Sequence, residues 1–439
     1  MAKSRMSLAN STVTWLLLGF VLIAPLGLGG NRPQFWLLNL GALSFIACAF
    51  LSIAASSRGA LSKFEGDTKP LAVLALTYPA LIVVWSLFAP LMGSNAAWVS
   101  TAFGLARIGS YLLFAWLCAQ ALRSGRRATL AARACVVGLS GVAIYGLISA
   151  GNPELLLYEK LQYDGFATGP FVNRNSFATF LAMGATLSLA LALSPNRDAR
   201  RKARTQANPL KLDLIIGGAL AFAPVPLFLS AVLLTGSRMG LFATIVGLSA
   251  VFVTSGRLQS VGRKALAGGL TLGALALLTA FAFLFGQATF ERLGSTGASA
   301  DVRGNLYLNV MSMIADAPFL GHGLDSFPRA YQAFHAAPVS ADLRWDQAHN
   351  TYLELWSELG VFVGSVPIII CLLALRLLWA RARGAAGRNT QLASAGVGAL
   401  CLGAVHSLVD FSLEMPANVY LLIFICALGL APREKGRQR

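Results

Sequence analysis

FWLLNLGALSFIACAFLSIAAS, residues 35–56, runs for 22 positions without one charged side chain. A stretch of about 18 or more apolar residues is long enough to cross the hydrocarbon core of a bilayer as a helix. A soluble domain can bury one such run, but this chain repeats it. Comparable stretches lie near 13–30, 71–91, 97–121, 131–150, 174–194, 213–235, 239–255, 265–287, 356–379, 391–409 and 417–431. The whole chain is 56% hydrophobic, with a mean hydropathy of +0.65, too apolar for a soluble domain of this length. The expected fold class is therefore all-α: a polytopic helical bundle of about 12 transmembrane helices, forming one integral-membrane domain over residues 1–439. Several spans contain Gly or Pro, such as Pro224 and Pro226, which membrane helices tolerate. The first stretch lacks a small-residue cleavage site and is followed by another span, so it is expected to stay as a helix.

A net charge of +17 raises the possibility of nucleic acid, and the positions of the charges argue against it. With the N-terminus in the cytoplasm and a change of side at each span, the cytoplasmic segments collect 26 of the 35 Lys and Arg. The groups around Arg123–Arg133, Arg197–Lys211, Arg376–Arg388 and Arg433–Arg439 supply most of them. Basic residues gather on the cytoplasmic side of membrane proteins without any nucleic-acid partner. Both termini are expected in the cytoplasm, and the longest non-membrane segment, about 288–355, on the outer side. That segment is expected to carry short amphipathic helices: Leu306, Val310 and Met313 recur at helical spacing after Arg303, as on a helix lying on the membrane. All six cysteines fall in expected spans, so no disulfide framework follows.

Nine basic residues remain outside the positive-inside pattern, on the side where such charge is sparse. Arg238 precedes Arg257 by 19 residues, a rise of about 28 Å, which puts it at the outer interface. Arg107 precedes Arg123 by 16 residues, about 24 Å, just inside the outer leaflet. Arg174 opens its helix in GPFVNRNSFATF, and Arg303 opens the amphipathic one. Arg107 and Arg174 can be read as side chains reaching for headgroups, and Arg238 as an arginine capping its loop. Together at one depth they suit an anionic lipid headgroup, since guanidinium offers phosphate a bidentate fork that lysine lacks. In PFLGHGLDSF the two glycines flanking His322 mark a backbone turn first, so His322 reads as structural.

DQAHNTYLELWSELG, residues 346–360, then concentrates polarity at a span entrance. Thr351 and Glu354 have capping-box spacing, which makes Glu354 a helix cap before it is an acid. The helix end this creates presents free N–H groups outward and favours an anion. A helix starting at Thr351 does not require the residues before it, His349 and Asn350. A neutral imidazole at an aqueous interface is the usual group for taking a proton from a hydroxyl. His406 and Asp410, four apart, are expected to hydrogen-bond along one helical face.

AHNTYLELWSELGVFVG resembles the signature of the O-antigen ligase and polymerase family of bacterial membrane glycosyltransferases. GPFVNRNSFATFLA, LLTGSRMGL and ADVRGNLYLNVMSMIADAPFLGHGLDSF resemble its other motifs, in order, and the likeness spans about 165–430. HSLVDFSLEMPANVYLL is similar to the last-loop segment of exopolysaccharide members. The resemblance implies an inner-membrane enzyme. It would move a glycan from an undecaprenyl-diphosphate donor to a saccharide hydroxyl, on lipid A-core or the growing polysaccharide, at the periplasmic face. It implies His349 as the catalytic residue and Arg238 and Arg303 as diphosphate ligands, with DVRG a small departure around Arg303. Arg174 and Arg107 join the expected diphosphate set from their depth, with Asn350 and Glu354 in support. No cofactor is expected, and no metal, because the outer carboxylates show no Asp-x-Asp pair to hold a hard divalent cation. The expected partners are the donor, the acceptor and membrane lipids, without nucleic acid. A transporter or flippase would show internal repeats or polar residues at mid-membrane, which the chain lacks by eye. A structural subunit of an export complex would need no histidine so placed.

Overall fold

The computed structural model describes residues 2–55, 66–88, 98–158, 165–194, 222–255, 296–340, 344–384 and 390–432, with positions 61, 64 and 342. Within these residues the chain is helical and has no strand. In chain order the helices are α1 (Ala2–Ile23), α2 (Pro33–Ala55), α3 (Lys69–Phe88), α4 (Trp98–Ala121), α5 (Gly125–Gly151) and α6 (Arg174–Ala192). There follow α7 (Pro224–Leu234), α8 (Arg238–Thr254), α9 (Thr296–Asp316), α10 (Thr351–Gly364), α11 (Val366–Arg383), α12 (Thr390–His406) and α13 (Pro416–Leu430). Six of the described helices, α1 to α6, are long and apolar enough to cross a membrane, or seven spans if α10 and α11 together make one. This is fewer than the twelve expected. The span expected at 265–287 and residues 213–221 of the one expected at 213–235 lie outside the described residues, while α7, α8 and α13 are apolar but shorter than 18 residues.

The helices divide by what surrounds them. α2 and α3 bury few residues and expose Leu38, Phe45 and Leu76, as lipid-facing helices do. α6 and α12 are almost wholly buried. Their sequences explain this: small residues on several faces let neighbouring backbones close in, the packing device that substitutes for a hydrophobic drive inside a membrane. A Cβ on Gly240 of α8 would lie 2.7 Å from the Ala178 Cβ of α6, and one on Gly247 would lie 3.0 Å from the Gly398 carbonyl oxygen of α12. Phe177, Phe180, Phe228, Phe424 and Tyr420 fill the core between them.

Two expectations change here. The apolar stripe of α9 is where it was read, but Leu306, Val310 and Met313 are buried against Phe327, Tyr331, Val339 and Ala348, not turned to lipid. The span expected at 356–379 is broken, α10 and α11 meeting at 73°. Gly360 leaves helical geometry (φ 69°, ψ 168°), and Pro367 in the first turn of α11 restarts the helix. The break has a purpose. Val361 N–H donates to the Pro318 carbonyl at 2.9 Å, while the carbonyls of Ser357 and Glu358 accept His322 and Gly323 N–H at 3.0 and 2.7 Å. The FLGHGLD segment, residues 319–325, thus runs backbone to backbone along α10. A Cβ on Gly321 would collide with Glu358, and Gly321 and Gly323 both adopt positive φ (63° and 108°). His322, read as structural, lies with its Nε2 3.0 Å from the Met313 carbonyl oxygen.

Candidate active site at three capped helix starts

Three helices begin with a side-chain cap beside a residue singled out from sequence. Asn173 accepts Ser176 N–H at 2.8 Å and starts α6, so Arg174 is its first residue. Ser237 accepts Gly240 N–H at 3.1 Å and starts α8, so Arg238 is the first residue there. Asn350 accepts Tyr352 and Leu353 N–H at 3.0 and 3.1 Å and starts α10, directly after His349. Asn350 therefore replaces Thr351 as the cap. Its extended backbone (φ −156°, ψ 106°) holds the short amide over the first turn, whereas Thr351 is already helical. Thr351 instead donates its hydroxyl to the Asp410 carbonyl at 3.3 Å. Glu354 keeps a related duty, accepting Ala348 N–H at 2.9 Å, two residues ahead of the cap.

The segment 407–412 ties the starts of α10 and α6 together. Thr351 N–H donates to the Ser407 carbonyl at 3.0 Å and Asn350 Nδ2 to the Leu408 carbonyl at 2.9 Å. From α6, Asn175 Nδ2 donates to Asp410 Oδ2 at 2.7 Å. On α8's side, Arg174 reaches over the turn at Gly236 (φ 61°), where a Cβ would stand 3.0 Å from Arg174 Nη1. Arg174 also stacks on Phe166, 4.6 Å from the ring centre, and Arg238 is exposed two residues past that glycine. The direct hydrogen bond expected between His406 and Asp410 from their spacing does not form. α12 ends at His406, and Ser412 bridges the two, its Oγ donating to Asp410 Oδ1 at 2.6 Å and lying 3.2 Å from His406 Nδ1. Thr179 Oγ1 lies 2.6 Å from the same His406 nitrogen.

His349 sits in left-handed backbone geometry (φ 52°), uncommon for a residue that is not glycine. Its carbonyl accepts Tyr307 O–H from α9 at 2.9 Å, and its ring stands edge-on between Phe411 (4.9 Å) and Trp345 (6.0 Å). Nδ1 is buried without a hydrogen-bond partner among the described residues. Burial pushes the imidazole below its ordinary 6.5. The Asp410 carboxylate pulls the other way, and the nearby Arg303 guanidinium adds to the depression. The ring is thus kept neutral near pH 7, the state of a proton acceptor.

Arg107, expected among the diphosphate ligands, is occupied otherwise. It is buried on α4 and donates Nη2 to Asp325 Oδ1 at 2.6 Å and Nη1 to Glu414 Oε2 at 2.9 Å, with Trp36 stacked 4.9 Å away. Burial pushes the Asp325 carboxyl up to about 6 although Arg107 pulls it down. Sequence reading passed over Asp325, Glu358 and Glu414, because their partners are far along the chain. It passed over Tyr307 and Phe411 for the same reason. Among the described residues no group of three or more His, Cys, Asp or Glu is placed to hold a metal ion.

Residues 223–368, which include Arg238, Arg303, the glycine turn, His349 and α10, match the family model described as O-antigen ligase. Over that segment the chain is similar to the O-antigen ligase family. The O-antigen ligase domain together with the apolar helices makes this a membrane protein of ligase or polymerase type in general. No curated protein matches the chain.

Proposed function

We propose that the protein transfers a glycan from an undecaprenyl-diphosphate donor to a saccharide hydroxyl at the periplasmic face of the bacterial inner membrane. The observation that carries this reading is His349. It is a neutral imidazole with an unpartnered ring nitrogen, fixed at the start of α10 beside Arg303 and joined through residues 407–412 to the start of α6. In the reaction the acceptor oxygen attacks the anomeric carbon and the bond from that carbon to the diphosphate oxygen breaks. The hydroxyl proton passes to His349, and the lipid diphosphate leaves with its electron pair. Arg174, Arg238 and Arg303 neutralise the departing charge, helped by the N-termini of α6 and α8. Asn350 and Glu354 hold the His349 loop. Arg107 is not assigned to the diphosphate. No step calls for a metal, so excess EDTA should leave the rate unchanged.

The acceptor decides between ligase and polymerase, and the glycans of a deletion strain report it. Full-length polymer on the lipid carrier marks a ligase, and single repeat units mark a polymerase. The reaction itself is tested with purified protein, a lipid-diphosphate-linked glycan and acceptor. His349→Ala should lose about 10²–10⁴-fold in transfer, the usual contribution of a general base. Near-wild-type turnover would overturn the assignment.

A further inference from the structure

Arg107 lies in the helices whose sequence is only generically membrane-like, yet its two carboxylate partners are 218 and 307 residues away. Each partner leads to one flank of His349. Asp325 donates its N–H to Glu358 Oε2 at 2.9 Å, and Phe327 N–H reaches the other Glu358 oxygen at 3.0 Å. One turn back on the same face of α10, Glu354 holds the N–H of Ala348, the residue before His349. On the other flank, Glu414 closes the turn Ser412–Glu414 that follows Phe411, the ring packed on His349. The guanidinium therefore sits at the junction of two paths that end at one imidazole.

We propose that Arg107 is a positioning residue: an ion-pair latch that fixes both walls of the His349 site to α4, and not a ligand of the donor. The inference rests on His349 being the reactive group. The chemistry favours it over a ligand role because a guanidinium already facing two carboxylates at 2.6 and 2.9 Å has its charge compensated. Asp325 also shows what the latch holds in place. Its backbone is left-handed (φ 55°), its Oδ2 is buried without a partner, and the side chain presses on Gly104 of α4, where any Cβ would collide. Such a conformation persists only when its surroundings impose it.

Two variants separate latch from ligand. Arg107→Met leaves two buried carboxylates facing no cation, whereas Arg107→Met with Asp325→Asn and Glu414→Gln removes the charge on both sides. With matched unfolding temperatures, three readouts are compared: amide exchange of residues 320–327, kcat for transfer, and binding of undecaprenyl diphosphate in detergent. The single variant should lose exchange protection and about 10²-fold in kcat, as a misplaced catalytic group does, while binding of the probe stays near wild type. The triple variant carries no charge at these three positions but still lacks the latch. It should stay low in protection and in kcat while binding the probe like wild type. If probe binding falls in the single variant and the triple variant does not restore it, Arg107 contacts the donor and the latch is wrong. Unchanged exchange in the single variant overturns it too. Wild-type protein that fails to bind the probe refutes the donor assignment alone, since the exchange data still decide the latch. If the single variant does not fold, the triple variant decides alone: folded protein that binds the probe but has lost protection and transfer supports the latch, and wild-type transfer overturns it.

Discussion

At the scale of single residues the site turns on proton affinity and on bond geometry. His349 is pushed below 6.5, so its basic form persists under mildly acid conditions. A base must be neutral to accept a proton, and the rate falls as pH drops through its folded pKa. The acid limb of the transfer profile should therefore lie below pH 6.5. A limb at or above that value would mean that another group titrates. His349→Gln separates proton removal from positioning: it should be as inactive as His349→Ala if the imidazole takes the proton, and far more active if a hydrogen bond is enough. Arg238 poses a different question, since lysine keeps the charge and loses the planar fork. A charge-assisted hydrogen bond contributes about 1.5–3 kcal/mol, so Arg238→Lys should transfer roughly 10- to 150-fold more slowly. An unchanged rate in properly inserted protein would remove Arg238 from the donor site.

At the scale of elements, what could be read from sequence depended on how far apart the interacting residues lie. The starts of α6 and α8 were visible from where the apolar runs begin, near 174 and 239, whereas their caps, Asn173 and Ser237, went unread. The buried stripe of α9 was visible from spacing alone, but its partner was not, because Phe327, Tyr331 and Val339 follow a turn that spacing does not describe. At α10 the sequence pointed to Thr351 as the cap, and the extended backbone at Asn350 moves the cap one residue back. Asn350→Ala should cost about 0.5–2 kcal/mol, the usual value of an N-cap, and thermal unfolding in detergent would show it. Loss of activity beyond that cost should follow, because the same amide ties the loop to Leu408. The break at Gly360 was hidden because glycine and proline are ordinary in membrane helices. It shows itself only against the 318–323 segment, where Gly321 leaves no room for a side chain. Gly321→Ala should therefore unfold at lower temperature than Asn350→Ala, since it strains both φ and packing. Equal stability would mean the two segments are not held backbone to backbone.

At the scale of the molecule, the apolar repeat revealed the class of the fold, and the charges supply only an expected orientation. Neither could reveal Arg107, whose partners on the far side of the chain leave no local pattern. The orientation remains the premise on which the proposed chemistry depends, because the lipid-linked donor is used on one face only. By the positive-inside rule the basic residues at 123, 126 and 127 put the junction of α4 and α5 on the expected cytoplasmic side, and the 296–350 region is then expected to face outward. The native cysteines are all free, so they can be replaced to give a background for labelling. A single cysteine at Asp342, which is exposed, should react with a membrane-impermeant thiol reagent in whole cells with a permeable outer membrane. One at Arg126, also exposed, should react only after the inner membrane is opened. The opposite pattern would place His349 and its arginines in the cytoplasm and refute the periplasmic site. Labelling at both positions in intact cells would break the alternation of sides from which the topology follows.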